Sequence, residues 1–141
     1  MKKRKVQSII FYCDANRIKH FLLLKMNERR NFHWQNITGG VDTGEEYIEA
    51  AKREAIEETN ISDDNIAHIH KTNLIFEFHD SWGNDVIEKV FFIQCKNKFE
   101  AIIDPSEHSD FNWVSAKEIN QSSVHFESNF IALKAALEFE C

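Results

Sequence analysis

The chain has 141 residues, 43% of them hydrophobic and 28% charged, which suffices for one well-buried core and is too little for two ordinary domains. A single domain over residues 1–141 is therefore expected. The formal net charge is −6 and, apart from the run Met1-Lys2-Lys3-Arg4-Lys5, the cations are scattered, which argues against a protein held on nucleic acid by counterion release.

Val6 to Cys13 is β-branched and aromatic, and Ile18 to Lys25 is a second apolar run after the turn-like Asp14-Ala15-Asn16-Arg17, so the two predict a hairpin. Trp34 to Thr38 reads as a short strand. It enters a loop that holds three of the chain's four glycines, Gly39, Gly40 and Gly44. Such clustering marks backbone that takes positive φ or approaches a ligand closely. Thr43 has Glu46 three residues on, the spacing of a capping box, so a helix is expected from Gly44 to about Thr59, closed by Asn60 in the left-handed conformation. Leu74 to Phe78 and Val86 to Cys95 predict a second hairpin around Ser81-Trp82-Gly83-Asn84-Asp85. Phe111 to Val114 is another short strand, and an amphipathic helix begins near Glu127. Several strands with one central and one terminal helix give an α+β or mixed α/β sandwich.

Cys13, Cys95 and Cys141 are odd in number and far apart, and none has a close Cys or His neighbour of the kind structural zinc requires. They read as reduced thiols. The apolar stretch after the basic start is interrupted by Gln7 and Ser8 and meets no cleavage site, and no run approaches the ~20 residues of a transmembrane helix. A cytoplasmic chain with no membrane partner is expected.

On the central helix Glu54, Glu57 and Glu58 fall at i, i+3 and i+4 and converge on one side, while Ile48, Ala51 and Ala55 form a stripe that faces a sheet. Like charges at i, i+4 cost about 0.2–0.5 kcal/mol in water, and more when buried, so the arrangement calls for a cation. Oxygen ligands without Cys or paired His select Mg2+, with Mn2+ as a substitute. Residues 45 to 58 alone also fit a solvated helix with a Glu49–Arg53 ion pair. The three glycines in front of it, and the small Ala side chains on its inner face, favour the metal reading.

The segment resembles the Nudix box: Gly, five residues, Glu, seven residues, then Arg-Glu-U-x-Glu-Glu-x-Gly-U, with U aliphatic. Gly39, Glu45, Arg53, Glu54, Glu57, Glu58 and Ile61 match, Ala55 is a small occupant of the first U, and Asn60 replaces the last glycine. The resemblance implies an α/β/α sandwich with a mixed sheet, the box helix and a C-terminal helix. It also implies hydrolysis of a nucleoside diphosphate linked to another group. By position, Glu54, Glu57 and Glu58 would be metal ligands, Gly39 and Gly40 would offer backbone groups to metal or phosphate, and Arg53 would pair with Glu45 or orient a box carboxylate. Glu107, in the loop Asp104-Pro105-Ser106-Glu107-His108, is the candidate outside the box, as an extra ligand or as the base.

His33-Trp34-Gln35-Asn36-Ile37-Thr38 before the box, Glu107-His108 with Trp113, and Ser128-Asn129 at the last helix resemble the bacterial dihydroneopterin triphosphate and dATP pyrophosphohydrolase branch. The implied reaction releases a monophosphate and pyrophosphate from a nucleoside or pterin triphosphate. Cleavage of diadenosine polyphosphates or RNA 5′ ends is the alternative, and a non-catalytic nucleotide sensor is a third reading that the intact box carboxylates disfavour. The branch's basic residues on the second strand are represented by Lys25, with Arg29 and Arg30 in the following loop; Lys25, Arg29, Gly40, Trp34 and Trp82 are the expected substrate contacts, and Phe32, His33, Trp34 and Trp82 the candidate stacking surface for a ring. The expected partner is a small nucleotide, with no stable nucleic-acid partner. Relatives are often homodimers, although no residue pattern points to an interface.

Overall fold

The computed structural model describes residues 2–141; Met1, which opens the basic run, lies outside them. Seven strands form one mixed sheet: β1 (Lys3–Cys13), β2 (Lys19–Met26), β3 (Trp34–Gln35), β4 (Ile37–Gly40), β5 (Ile66–His79), β6 (Asp85–Cys95) and β7 (His108–Ser115). The order is β3-β2-β1-β6-β5, with β4 also on β1 and β7 also on β2. Helices α1 (Tyr47–Thr59) and α2 (Glu127–Glu138) cover opposite faces, giving the expected α/β/α sandwich.

Both faces of β1 are covered, so Val6 to Phe11 are all buried and read as a continuous run rather than an alternation. Ile9 and Phe11 pack with Val90, Phe92, Ala132 and Leu133 on the α2 side. Ile10 and Val6 face the other way, toward Ala55 and toward Ala50 and Ala51 of α1. Those three alanines are fully buried, and the Ser8 hydroxyl reaches the Ala51 carbonyl at 3.4 Å. Small side chains let the box helix lie close to the sheet.

The β1–β2 hairpin pairs only Phe11–Phe21 to Cys13–Lys19. Closer to its start β1 pairs instead with β4, from Lys5–Gly40 to Ser8–Ile37, and β3 pairs with β2 at Leu24–Gln35 and Lys25–Trp34. Residues 34–40 thus bridge two strands that have parted. On its other side β1 runs parallel to β6, from Lys3–Val86 to Phe11–Gln94. The β5–β6 hairpin turns at Asp80 to Asn84, where Gly83 has φ +80.

Two expectations are corrected. The helix does not start at Gly44 under a Thr43 cap. Gly44 takes φ +81 and residues 42–45 close a turn, with the Glu45 amide donating to the Asp42 carbonyl at 3.0 Å and the Asp42 amide to the Glu45 carboxylate at 2.9 Å. The cap is therefore Glu46, whose amide donates to the Glu49 carboxylate at 2.8 Å; Glu49 is a capping-box residue and not the partner of Arg53. Cys13 and Cys141 are not free thiols either. They form a disulfide, because the segment after α2 returns to the end of β1, and only Cys95 is free. Thiol usage thus no longer supports a cytoplasmic location. Among the described residues no helix is long and apolar enough to cross a membrane.

Candidate active site

Where β1 and β2 part, a groove of about 410 Å³ opens beside the start of β1, the loop after β2, the end of β4 and the loop before β7. Glu54 and Glu58 of α1, Gly39 and Gly40 of β4, and Glu107 line it, with Lys3, Lys5, Arg29 and Arg30 as cations. A depression of about 480 Å³ near Phe99 and Trp113 carries no such cluster of carboxylates.

Arg53 fastens the glycine loop to the helix. Its Nε and Nη2 donate to the Glu45 carboxylate at 2.8 and 3.0 Å, and Nη2 also donates to the Gly40 carbonyl at 2.8 Å. Its Nη1 donates to Glu54 at 2.9 Å and to Glu57 at 3.2 Å. Arg4 adds bonds to the carbonyls of Glu45 and Asp42 at 3.0 and 2.9 Å. The Arg53 guanidinium holds the Glu45 carboxyl down to about 2. At the far end of α1, Asn60 takes φ 59 and its amide donates to the Ile56 carbonyl at 2.9 Å, the left-handed stop that the box reserves for glycine.

Gly39 is required by closeness rather than by its φ. A Cβ there would run into the Glu54 side chain, so the bare backbone lets that carboxylate sit against the loop. Burial pushes the Glu54 carboxyl up, against the pull of Arg53. Glu58 lies deeper and has no arginine. Burial first, then Glu54, Glu107 and Glu57, push it up to about 9, and its Oε2 is buried without a hydrogen-bond partner. Glu107 is placed by the tether between its loop and the segment after β2: the Asn27 amide donates to the Glu107 carbonyl at 3.2 Å and the Asn27 side chain to the Ser106 carbonyl at 2.6 Å. Next to it, burial holds His108 below the ordinary imidazole range, and its Nδ1 is also unpartnered.

A hard divalent cation fits this donor set, because it would give the orphaned Glu58 oxygen a partner and offset the repulsion among Glu54, Glu58 and Glu107. Among the described residues no three acidic, His or Cys side chains already stand in ligating geometry; Arg53 occupies Glu54 and Glu57 instead.

Of the residues singled out in the sequence, the fold brings Glu54, Glu58, Glu107, Gly39, Gly40, Arg29 and Arg30 together. Glu57 and Arg53 stand behind them, the former largely exposed on the helix. Lys25 lies with its Nζ 5.5 Å from the Phe32 ring and 5.9 Å from the Trp34 ring, a patch apart from the groove lining. Trp34 is half-buried against the α2-side core, and Trp82 is 80% exposed at the hairpin tip. Sequence reasoning passed over Lys3 and Lys5. Their two-residue spacing on a strand, which puts both on one face, was the available signal.

Residues 2–133 match the model of the NUDIX domain. The chain is 30% identical over 118 residues to the dihydroneopterin triphosphate diphosphatase of Haemophilus influenzae, covering 78% of this chain and 72% of that protein. It is 29% identical over 120 residues to the RNA pyrophosphohydrolase of Pelagibacter ubique, covering 77% and 75%. Its fold is similar to the structure of the E. coli dihydroneopterin triphosphate pyrophosphohydrolase, with a TM-score of 0.78, 20% identity and 98% of each chain covered. With Glu54, Glu58 and Glu107 lining one groove and a family match over residues 2–133, the chain belongs to the NUDIX family and is a hydrolase of phosphoric anhydride bonds.

Proposed function

We propose that the protein is a Mg2+-dependent pyrophosphohydrolase that cuts a nucleoside or pterin triphosphate into the monophosphate and pyrophosphate. The observation that carries this is Glu58: a buried, unpartnered carboxylate beside Glu54 and Glu107, in a groove bordered by Lys3, Lys5, Arg29 and Arg30. Three acids along the groove suit a cation, and four bases in the same lining suit a polyanion. Both together suit a polyphosphate bridged to carboxylates.

Glu54, Glu58 and the Gly39 backbone would hold the metal, and Glu57 would complete the set from the helix surface. When bound, the metal shields the anionic phosphates and makes water a better nucleophile. The remaining work falls to the chain. Arg53 keeps the glycine loop against α1, so that Gly39 and Glu54 keep their spacing. Arg29, Arg30, Lys3 and Lys5 hold the phosphates in line for attack on phosphorus. Glu107, on its tethered loop, accepts the proton of the attacking water or adds a further ligand.

The similarity to an RNA pyrophosphohydrolase supports a second reading, removal of pyrophosphate from 5′-triphosphate RNA. The net charge of −6, with 23 acids against 17 bases, works against holding a long anionic strand beyond the groove. The test is a panel of dNTPs, dihydroneopterin triphosphate, diadenosine tetraphosphate, ADP-ribose and 5′-triphosphate RNA, with pyrophosphate and phosphate release measured in Mg2+. Pyrophosphate from the small triphosphates is expected. RNA turned over faster than all of them would favour the second reading.

A further inference from the structure

A second cavity, of about 520 Å³, lies on the α2 side of the sheet and shares Lys5, Arg30, Gln35 and Thr38 with the groove, so the two are neighbouring compartments. Its lining differs in kind. Phe76, Phe78 and Phe126 face it, together with Ser128, Asn129 and one buried acid, Glu88. Glu88 is 4% exposed and pairs across the sheet with Phe76 on β5 and Lys5 on β1. Among the described residues no lysine or arginine makes an ion pair with it.

The hydrogen-bond direction at Glu88 is fixed by backbone groups two residues away in the network. The Asn36 amide donates to Asn129 Oδ1 at 2.7 Å, and Asn36 Nδ2 donates to the Asn129 carbonyl at 3.2 Å. That sets the Asn36 amide group with its nitrogen toward Gln7, where Nδ2 donates to Gln7 Oε1 at 2.7 Å. Gln7 is then left with its nitrogen toward Glu88, and Nε2 donates to Glu88 Oε1 at 2.9 Å. All four side chains are nearly fully buried, so this polarity is built into the core. At its end stands a carboxyl that can only accept from Gln7 and whose remaining acceptor capacity belongs to the cavity.

We propose that this cavity holds the heterocycle of the substrate, and that Glu88 selects a ring bearing adjacent N–H and exocyclic NH2 donors. A 2-amino-4-oxopyrimidine edge, common to guanine and pterins, offers two parallel donors that match one carboxylate. Adenine offers a ring nitrogen lone pair in the corresponding place, and hypoxanthine lacks the amino group. Phe76, Phe78 and Phe126 supply apolar faces against which such a ring stacks. Burial pushes the Glu88 carboxyl up while Gln7 and Lys5 pull it down, so two further donors would add to the side that favours the carboxylate. The shared lining places the ring next to the groove, as a ring joined to a phosphate chain requires.

The inference rests on the proposed reaction for the polyphosphate half of the substrate, and its test separates the two. Binding of GMP, IMP and AMP is measured by calorimetry on the full chain in Mg2+, alongside pyrophosphate release from GTP, ITP and ATP. GMP is expected to bind at least about tenfold tighter than IMP and AMP. Glu88→Gln, which replaces an acceptor oxygen with a donor at constant size, is expected to bring GMP within about twofold of IMP. The wild-type ratio stands without any variant, and Glu88→Asp, which withdraws the carboxyl by one methylene, provides a second reading if the glutamine variant is unfolded. Equal binding of the three nucleotides, no binding of any at millimolar concentration, or an unchanged ratio in a folded variant overturns the proposal. GMP discrimination without turnover of any triphosphate would leave the cavity assignment standing and remove the proposed reaction; turnover without ring preference would do the reverse.

Discussion

Glu58 is a buried carboxyl whose Oε2 has no hydrogen-bond partner, and the consequences are testable one residue at a time. An acid held up to about 9 in the folded state, against an ordinary 4.5, binds more protons folded than unfolded between those values. The metal-free protein therefore loses stability as pH rises from about 4.5 through about 9. Glu58→Gln cannot ionise, so folding no longer has to reprotonate this side chain, and the variant should raise the metal-free Tm by at least about 3 °C at pH 8, corresponding to roughly 1 kcal/mol, and flatten its pH dependence. The same variant should lose at least about 100-fold in activity with Mg2+, because a ligand worth several kcal/mol of charge stabilisation is gone. Thermal melts across pH and a pyrophosphate assay check the two halves. A variant that melts like the wild type, or that keeps full activity, would contradict the assignment. Gly39→Ala acts on the neighbouring carboxylate. A methyl there displaces Glu54, and overpacking of this kind costs about 1–3 kcal/mol, read in a denaturant melt together with a drop in activity.

The box is an element in which loop, helix and stop depend on one another. Arg53 joins them, since its donors reach Gly40, Glu45, Glu54 and Glu57 at once. Asn60 ends the helix at φ 59, where a residue with a Cβ is strained and Asn is the mildest replacement for Gly. Asn60→Gly should be neutral or slightly stabilising, and Asn60→Ala should cost about 1 kcal/mol, with activity retained in both; equilibrium urea unfolding separates them. The helix and its C-terminal stop were legible in the sequence because they are local, each depending on spacings of a few residues, whereas spacing alone pointed Arg53 to Glu49 and only the resemblance to the Nudix box offered Glu45 as its partner. The helix N-terminus was misread for a local reason too. Thr43 and Glu46 have the spacing of a capping box, but the turn at residues 42–45 and the positive φ of Gly44 keep them out of the helix, and Glu46 with Glu49 takes over.

Across the whole molecule, the parts that stayed hidden are those assembled over long sequence distances. The parallel pairing of β1 with β6 brings Lys5 beside Glu88, and α2 brings Asn129 to Asn36; neither contact leaves a trace in spacing. Lys3 and Lys5 stood in the sequence only as members of the basic start, with no role assigned, and the fold places them beside Glu54 and Glu58. The Cys13–Cys141 disulfide spans 128 residues and is equally invisible to a reading along the chain. Trp34, Lys25 and Trp82 were singled out as aromatic and basic residues near the box in sequence or at a turn, yet the fold sets all three apart from the groove lining. The sandwich class itself was legible, because alternating strands around two helices leave few other packings.

The central claim is that a metal held by the box carboxylates directs cleavage of a triphosphate between its α and β phosphates. The most direct measurement is product analysis of a dNTP or pterin triphosphate incubated with the purified chain in Mg2+ and in EDTA. Monophosphate and pyrophosphate formed in equal amounts with Mg2+, and no turnover in EDTA, is the expected result. Release of single phosphates, or turnover undiminished by EDTA, would contradict it.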